Sequence, residues 1–120
     1  MSGIKYLFDT NVILGMYRKD AAILQLCATK AITLPECAYS AITRMELLGF
    51  PGITLEEERA IHNLLERMTH LSLTPMIEDL TIQIRRQHRL KLPDAIIAAT
   101  AKAHSLALLT LDKELAAKAV

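Results

Sequence analysis

The chain has 120 residues, of which 52% are hydrophobic and 22% charged, and its formal net charge is +1. This balance predicts one folded domain over residues 1–120. It excludes a disordered chain and a protein that binds polyanions through its overall charge. No apolar run reaches the roughly 18 residues of a membrane-spanning helix, and residues 1–5 do not resemble a signal peptide. Because two cysteines make no disulfide framework, we expect a cytoplasmic protein with reduced thiols.

Short apolar runs alternate with longer amphipathic or apolar runs along the chain. The short runs predict strands at 6–8, 32–35, 71–73 and 105–109. The longer runs predict helices at 12–17, at 21–28, from residue 40 or 43 to 49, at 54–69, from 75 onward, at 94–101 and at 113–119. Asp20 and Thr54 are predicted to cap the second and the fourth of these helices. Strands that alternate with helices predict an α/β fold, with a mainly parallel central sheet of four to five short strands flanked by helices.

Four acids occupy positions where apolar surroundings are predicted. Asp9 ends the first strand and Asp112 follows the last, and the carboxyl ends of parallel strands meet at one edge of a sheet. Asp94 begins the most apolar helix, and Glu46 shares a helical turn with Thr43. Isolated charges are unfavourable beside apolar surface, and neighbouring carboxylates repel each other. Their convergence therefore predicts a bound cation.

The cation that best suits an all-carboxylate site is Mg²⁺ or Mn²⁺. Such an ion polarises a phosphoryl oxygen and lowers the pKa of bound water, so the pattern indicates phosphodiester hydrolysis. Asn11 and Thr110 are placed to orient the carboxylates through hydrogen bonds. Arg44 is a candidate phosphate contact, as are residues 18–19 and the basic run 85–91.

Each acid by itself also has a structural interpretation. Asp9 and Asp112 can cap the helices that follow them, and Asp94 suits the positive end of its helix dipole. For a single acid such a role is the more common one. The convergence of four acids, with Glu46 lacking an evident structural role, favours a functional site.

Four segments resemble the four motifs of PIN-domain ribonucleases: residues 7–11, 43–48, 92–99 and 109–112. Their order and the chain length are most similar to VapC-type toxins of prokaryotic toxin–antitoxin pairs. The resemblance implies a parallel sheet between helices and Mg²⁺-dependent RNA endonuclease activity. It also implies a catalytic cluster of Asp9, Glu46, Asp94 and Asp112, with Asp9 and Asp94 as metal ligands. The chain departs from the family at Leu111, where a basic or polar residue is frequent, and at 114–115, where Asp-Phe is frequent.

The same resemblance implies three partners. They are an RNA substrate, a second copy in a homodimer, and a small antitoxin that inserts an Arg or Lys into the acidic cluster. Val12, Met16 and the helix face over 61–68 are candidate contacts for the homodimer or the antitoxin.

Three other functions are open at this point. A receiver-type phosphoacceptor domain also places acids at strand ends, but it needs an Asp after the middle strand, and residues 71–75 contain none. A phosphatase with an Asp-x-Asp motif would need an Asp in place of Asn11. A PIN fold acting only as a binding module is disfavoured because all four acids are present.

Overall fold

The computed structural model describes residues 3–118. Within these residues the strands are β1 (Tyr6–Phe8), β2 (Cys37–Ser40), β3 (Thr69–Leu71) and β4 (Ala107–Leu109). The helices are α1 (Thr10–Tyr17), α2 (Ala21–Thr29), α3 (Ala41–Leu48), α4 (Leu55–Glu66), α5 (Pro75–Gln87), α6 (Leu92–Ala103) and α7 (Lys113–Lys118). None of these helices is long and apolar enough to cross a membrane.

The four strands form one sheet in the order β3–β2–β1–β4, and every neighbouring pair is parallel. The predicted α/β fold with a parallel sheet is therefore confirmed. The chain moves outward from β1 to β2 and β3 and then returns to the other side of β1 as β4. In such sheets ligands bind where the strand order reverses, outside the carboxyl ends of the strands. Here that point lies between Phe8 and its partner in register, Leu109.

Helices cover both faces of the sheet. Phe8 packs in a core cluster with side chains of α1, α2, α3 and α4, whereas its neighbour Leu7 packs with Ile97 of α6. Successive strand side chains point to opposite faces, so a strand covered on both sides is apolar throughout. Helix α6 is buried over residues 95–101, which confirms the predicted buried helix. The free thiols of Cys27 and Cys37 belong to the first of these clusters.

The side chains predicted to contact a partner lie in the core instead. Val12 is fully buried, and Ile61, Leu65 and Met68 are also buried. Met16 is partly buried against the same core cluster. Helix α4 is amphipathic as predicted, but the fold itself uses most of its apolar face. Of these residues, Ile61 also lines a groove at the surface, and Met16 stays partly exposed.

Two strands lie a few residues away from their predicted positions. The second strand is predicted at 32–35, but Leu34–Glu36 forms a short 3-10 helix and β2 follows it. Glu36 Oε1 closes this turn by accepting hydrogen bonds from the N–H and the hydroxyl of Thr33, at 3.1 and 3.0 Å. The third strand is predicted at 71–73 but is observed at Thr69–Leu71, because these residues pair with 38–40 of β2. Helix α4 accordingly ends at Glu66 rather than near residue 69.

Both predicted helix caps are observed. Asp20 Oδ1 accepts hydrogen bonds from the N–H groups of Ala22 and Ile23, at 2.9 and 3.2 Å. Thr54 and Glu57 exchange side-chain to backbone hydrogen bonds at the start of α4, as in a capping box. The predicted end of the last helix, at Ala119, lies outside the described residues.

Candidate active site at the carboxyl edge of the sheet

Asp9 lies directly at the reversal of strand order. Its N–H donates to the carbonyl of Leu109 at 3.0 Å, which extends the pairing of β1 with β4 by one hydrogen bond. Its backbone is extended and precedes α1, yet its side chain makes no capping hydrogen bond. Instead, Oδ2 accepts a hydrogen bond from the hydroxyl of Thr110 at 2.8 Å. Asp9 is 5% exposed, and its carboxylate is oriented by Thr110, the residue after β4, rather than used as a cap.

Thr110 also connects Asp9 with Asp112. Its hydroxyl oxygen accepts a hydrogen bond from the N–H of Asp112 at 3.0 Å. Asp112 Oδ1 in turn accepts hydrogen bonds from the N–H groups of Glu114 and Leu115, at 3.0 and 3.1 Å. The structural interpretation of Asp112 as the cap of α7 is thus correct, and the same residue lies beside the candidate site.

Glu46 is held by the hydroxyl of Thr10, which is in turn hydrogen-bonded to Thr43. Thr43 and Glu46 are three residues apart on α3 and so lie on the same helix face. The hydroxyl of Thr10 donates to Glu46 Oε1 at 2.8 Å, and its oxygen lies 2.9 Å from the hydroxyl oxygen of Thr43. Since Thr10 has a single hydroxyl proton, Thr43 must be the donor in the second bond. Thr43, which is fully buried, therefore acts on Glu46 through Thr10.

Thr10 is a residue of the site that the sequence pattern did not single out. The signal available for it was weak: Thr10 is a hydroxyl residue directly after the acid that ends a strand. Its role depends on the packing of α1 against α3, which no local pattern reports.

Asp94 lies close enough to the other three acids for their charges to act on it. It lies in the first turn of α6 and is partly buried. Burial raises the pKa of Asp94, and the negative charges of Asp9, Asp112 and Glu46 raise it further, while Lys91 opposes the shift. The structure therefore brings the four predicted acids into one electrostatic environment. Asp9 and Asp94 form its inner part, whereas Glu46 and Asp112 are exposed, contrary to the expected apolar surroundings.

Two other predicted site residues lie at the margin. Asn11 is exposed and makes no hydrogen bond with a described side chain, although it lines a groove next to Glu46. Arg44 lies near Tyr39. The pKa of Tyr39 is raised overall, because burial raises it by more than the guanidinium of Arg44 lowers it. Because residues two apart on a helix do not share a face, Arg44 and Glu46 point in different directions. The structure does not bring Arg44 into the acidic cluster.

The donor set of the acidic cluster fits a hard dication. Among residues 3–118, no group of three or more His, Cys, Asp or Glu side chains is gathered so that it could hold a metal ion. Mg²⁺, however, keeps several waters and is commonly bound by one or two carboxylates together with substrate phosphates. Asp9 and Asp94 match that arrangement, and the described ion pairs, Lys5–Glu36 and Lys118–Glu114, involve neither of them.

A groove of about 300 Å³ begins at the acidic cluster. Thr10, Asn11 and Glu46 line its polar end. Its wall is mainly apolar and consists of Leu14, Tyr17, Leu47, Phe50, Ile53 and Ile61, with Arg18 and Glu57 as the charged members. Phe50 is 64% exposed, so the wall includes an aromatic ring that the fold does not cover.

Comparison with known protein families gives a match over almost the entire chain. The sequence model of the PIN domain matches residues 6–120. The chain belongs to the PIN domain family. All four segments that carried the resemblance lie within the matched residues of this PIN domain. PIN-domain toxins are nucleases, and PIN domains generally use divalent metal ions, so this chain is a nuclease at the level of its family.

Solved structures similar to this PIN domain include chains of toxin–antitoxin complexes. A toxin–antitoxin complex from Klebsiella pneumoniae matches with 30% identity and a TM-score of 0.79, over 92% of this chain and 88% of that one. FitAcB from Neisseria gonorrhoeae matches with 27% identity and a TM-score of 0.76, over 95% and 92%. VapBC2 from Rickettsia felis, bound to a promoter DNA fragment, is 16% identical, with a TM-score of 0.75 over 92% and 90%, and supports the fold alone. No curated protein sequence matches the chain.

Proposed function

We propose that residues 1–120 form one endoribonuclease domain that hydrolyses RNA phosphodiester bonds with Mg²⁺, or alternatively Mn²⁺. The observation that carries this proposal is the convergence of the four acids at the reversal of strand order in a PIN-family chain. Burial raises the pKa of Asp94, and the nearby charges of Asp9, Asp112 and Glu46 raise it further. Carboxylates that repel each other in this way favour a bound dication over the empty site.

Each polar residue of the cluster has a proposed role. Asp9 and Asp94 hold the metal ion, and Thr110 keeps the Asp9 carboxylate oriented. The ion, when bound, polarises a phosphoryl oxygen and lowers the pKa of bound water. Glu46 and Asp112 lie on the exposed side, where they orient the attacking water, and Glu46 is fixed by Thr10.

RNA cleavage by the purified chain, separated from any copurifying protein, tests this proposal. A single-stranded RNA is incubated with the chain in Mg²⁺, in Mn²⁺ and in EDTA. The proposal predicts cleavage with either ion and none in EDTA. Cleavage that persists in EDTA, or no cleavage with either ion by a folded chain, would contradict it.

We further propose that this nuclease is a cytoplasmic protein and the toxin of a toxin–antitoxin pair. Its similarity to a chain of the Klebsiella pneumoniae toxin–antitoxin complex supports the second part. The groove supports an antitoxin segment as its occupant, because it combines an apolar wall that includes the exposed Phe50 with an acidic end at Glu46. An Arg of the antitoxin suits that end, since its planar guanidinium pairs with carboxylates in a bidentate manner.

Titration of the antitoxin segment at several Mg²⁺ concentrations tests how the partner inhibits. If its Arg replaces the charge of the metal, Mg²⁺ lowers the affinity for the segment, and the segment lowers the affinity for Mg²⁺ by the same factor. Phe50→Ala should weaken segment binding about tenfold, as expected for an aromatic interface anchor, and leave RNA cleavage unchanged. An affinity that is independent of Mg²⁺, with activity still blocked, would instead mean that the partner covers the path of the RNA.

We also propose a homodimer, as the resemblance to VapC-type toxins implies. Light scattering at high micromolar concentration should give twice the 13.4 kDa of the chain. A mass of one chain at that concentration would contradict the dimer.

A further inference from the structure

Four cations lie in the last turn of α5 and in the connection that leads to α6. They are Arg85, Arg86, Arg89 and Lys91, named here the α5–α6 basic segment, and all four side chains are exposed. None of them forms an ion pair or a hydrogen bond through its side chain with a described residue. The net charge of the chain is only +1, so this is a local concentration of positive charge and not a property of the whole surface.

The two later cations, Arg89 and Lys91, lie on either side of an anchored residue. Helix α5 ends at Gln87, and His88 is extended, with φ −135° and ψ 150°. Leu90 packs against the core formed by α5, α6 and α7, while Arg89 and Lys91 are exposed. Since Leu90 is held by these contacts, its exposed neighbours Arg89 and Lys91 are kept at the surface beside the start of α6.

The fold accounts for only part of this charge. Arg85 and Arg86 lie in the last turn of α5, where cations suit the helix dipole. The residues three and four positions before them, 81–83, include no acid, so no ion pair along the helix explains them. Lys91 occupies the N-cap of α6, the positive end of that helix, where a cation is least favourable. These cations are therefore available to an external anion.

The α5–α6 basic segment leads directly to the acidic cluster. Lys91 is the N-cap residue of α6, and Asp94 lies three residues later in the first turn of the same helix. Four acids repel an RNA strand, so a nuclease with this cluster needs positive charge beside it to bring a phosphate backbone close. The acidic cluster provides none of that charge.

We propose that Arg85, Arg86, Arg89 and Lys91 bind successive phosphates of the single-stranded RNA whose scissile bond lies at the acidic cluster. The inference rests on the proposed ribonuclease function and names the surface along which its substrate runs. These contacts are to phosphates, so they add affinity without selecting sequence. Few aromatic side chains are present in the chain, so phosphate contacts replace base stacking as the main source of affinity.

The salt dependence of RNA binding tests this proposal. A fluorescently labelled single-stranded RNA is titrated in EDTA, which prevents cleavage, and the slope of log Kobs against log salt is measured. Each phosphate contact on a single strand contributes about 0.7 to that slope. Changing Arg89 and Lys91 to Gln should lower its magnitude by about 1.4, and changing the whole α5–α6 basic segment should lower it by about 2.8.

The matched control is Lys30→Gln with Lys102→Gln, which removes the same two charges as the smaller variant. Both lysines are exposed and precede β2 and β4, so they lie toward the opposite edge of the sheet from the acids. The control should keep the parental slope. An equal loss of slope in the control, or an effect seen with duplex DNA and not with single-stranded RNA, would overturn the proposal.

RNA cleavage by the parent in Mg²⁺ separates this inference from the proposed function. A parent that cleaves RNA, combined with an unchanged slope in the four-residue variant, would overturn the phosphate contacts and leave the nuclease assignment intact. A reduced slope in a chain whose parent cleaves no RNA would support the contacts and overturn the nuclease assignment.

Discussion

Replacing Thr110 with Val removes one hydroxyl while keeping the size of the side chain. That hydroxyl donates to Asp9 Oδ2 at 2.8 Å and accepts from the N–H of Asp112 at 3.0 Å. Because Asp9 is only 5% exposed, water cannot fully replace the lost donor. A hydrogen bond to a charged group contributes about 1.5–3 kcal/mol, and a tenfold change in affinity corresponds to about 1.4 kcal/mol. We therefore expect Thr110→Val to weaken Mg²⁺ or Mn²⁺ binding roughly 10–100-fold, as is typical for residues that orient a metal ligand.

Metal titration by calorimetry, together with denaturant unfolding, measures this effect. Thr110→Ser keeps the hydroxyl and should bind the ion nearly as the parent does. Thr81→Val is the matched control, since Thr81 is buried and donates to the carbonyl of Ile77 at 2.7 Å, within α5 and away from the acids. It should lower stability and leave metal affinity unchanged. Parental metal affinity in Thr110→Val, or an equal loss in Thr81→Val, would refute the role assigned to Thr110.

Two further predictions concern Asp94 and Thr10. Since the pKa of Asp94 is raised in the folded chain, its ionised form opposes folding at neutral pH. The metal-free Asp94→Asn variant should therefore have a higher free energy of unfolding than the parent at pH 7. That difference in the free energy of unfolding should disappear as the pH falls below 3.8, the ordinary pKa of an Asp side chain. Urea unfolding in EDTA at several pH values measures the difference. A difference of equal size at acid pH would contradict this prediction. Thr10→Val should lower kcat for RNA cleavage more than it raises KM, because Glu46 loses its hydrogen-bond donor. Thr10→Ser keeps the hydroxyl and should have kinetic constants close to those of the parent. A parental kcat in Thr10→Val would contradict the role of Thr10 in orienting Glu46.

The fold class could be predicted because its signals are local. Tyr6–Phe8 is apolar along its length since both of its faces are covered, and α6 is apolar on all sides since it lies between the sheet and α5. The position of β3 could not be predicted in this way. Its sequence, Thr-His-Leu, has no apolar pattern, and it becomes a strand by pairing with β2, with the ring of His70 5.4 Å from that of Tyr39. Such pairing is a tertiary property, which a single sequence does not express.

The acidic cluster could be predicted only in part, because local sequence places some of its residues and tertiary packing places the others. Asp9 and Asp112 follow strands, and strand ends can be recognised from the sequence. The hydrogen bond from Thr10 to Glu46 joins residues 36 positions apart, so it depends on how α1 meets α3. Arg44 precedes Glu46 by two residues on α3, so helical periodicity places the two side chains on different faces, and the role of Arg44 as a phosphate contact stays a prediction.

The rate of RNA cleavage in Mg²⁺ tests whether Asp9 and Asp94 form the metal-binding part of a ribonuclease site. Asp9→Asn and Asp94→Asn are compared with the parent and with Asp79→Asn, which changes an exposed acid on α5. Circular dichroism verifies that each variant is folded. We expect no cleavage above background for the first two variants and the parental rate for Asp79→Asn. Cleavage at the parental rate by a folded Asp9→Asn or Asp94→Asn variant would contradict it.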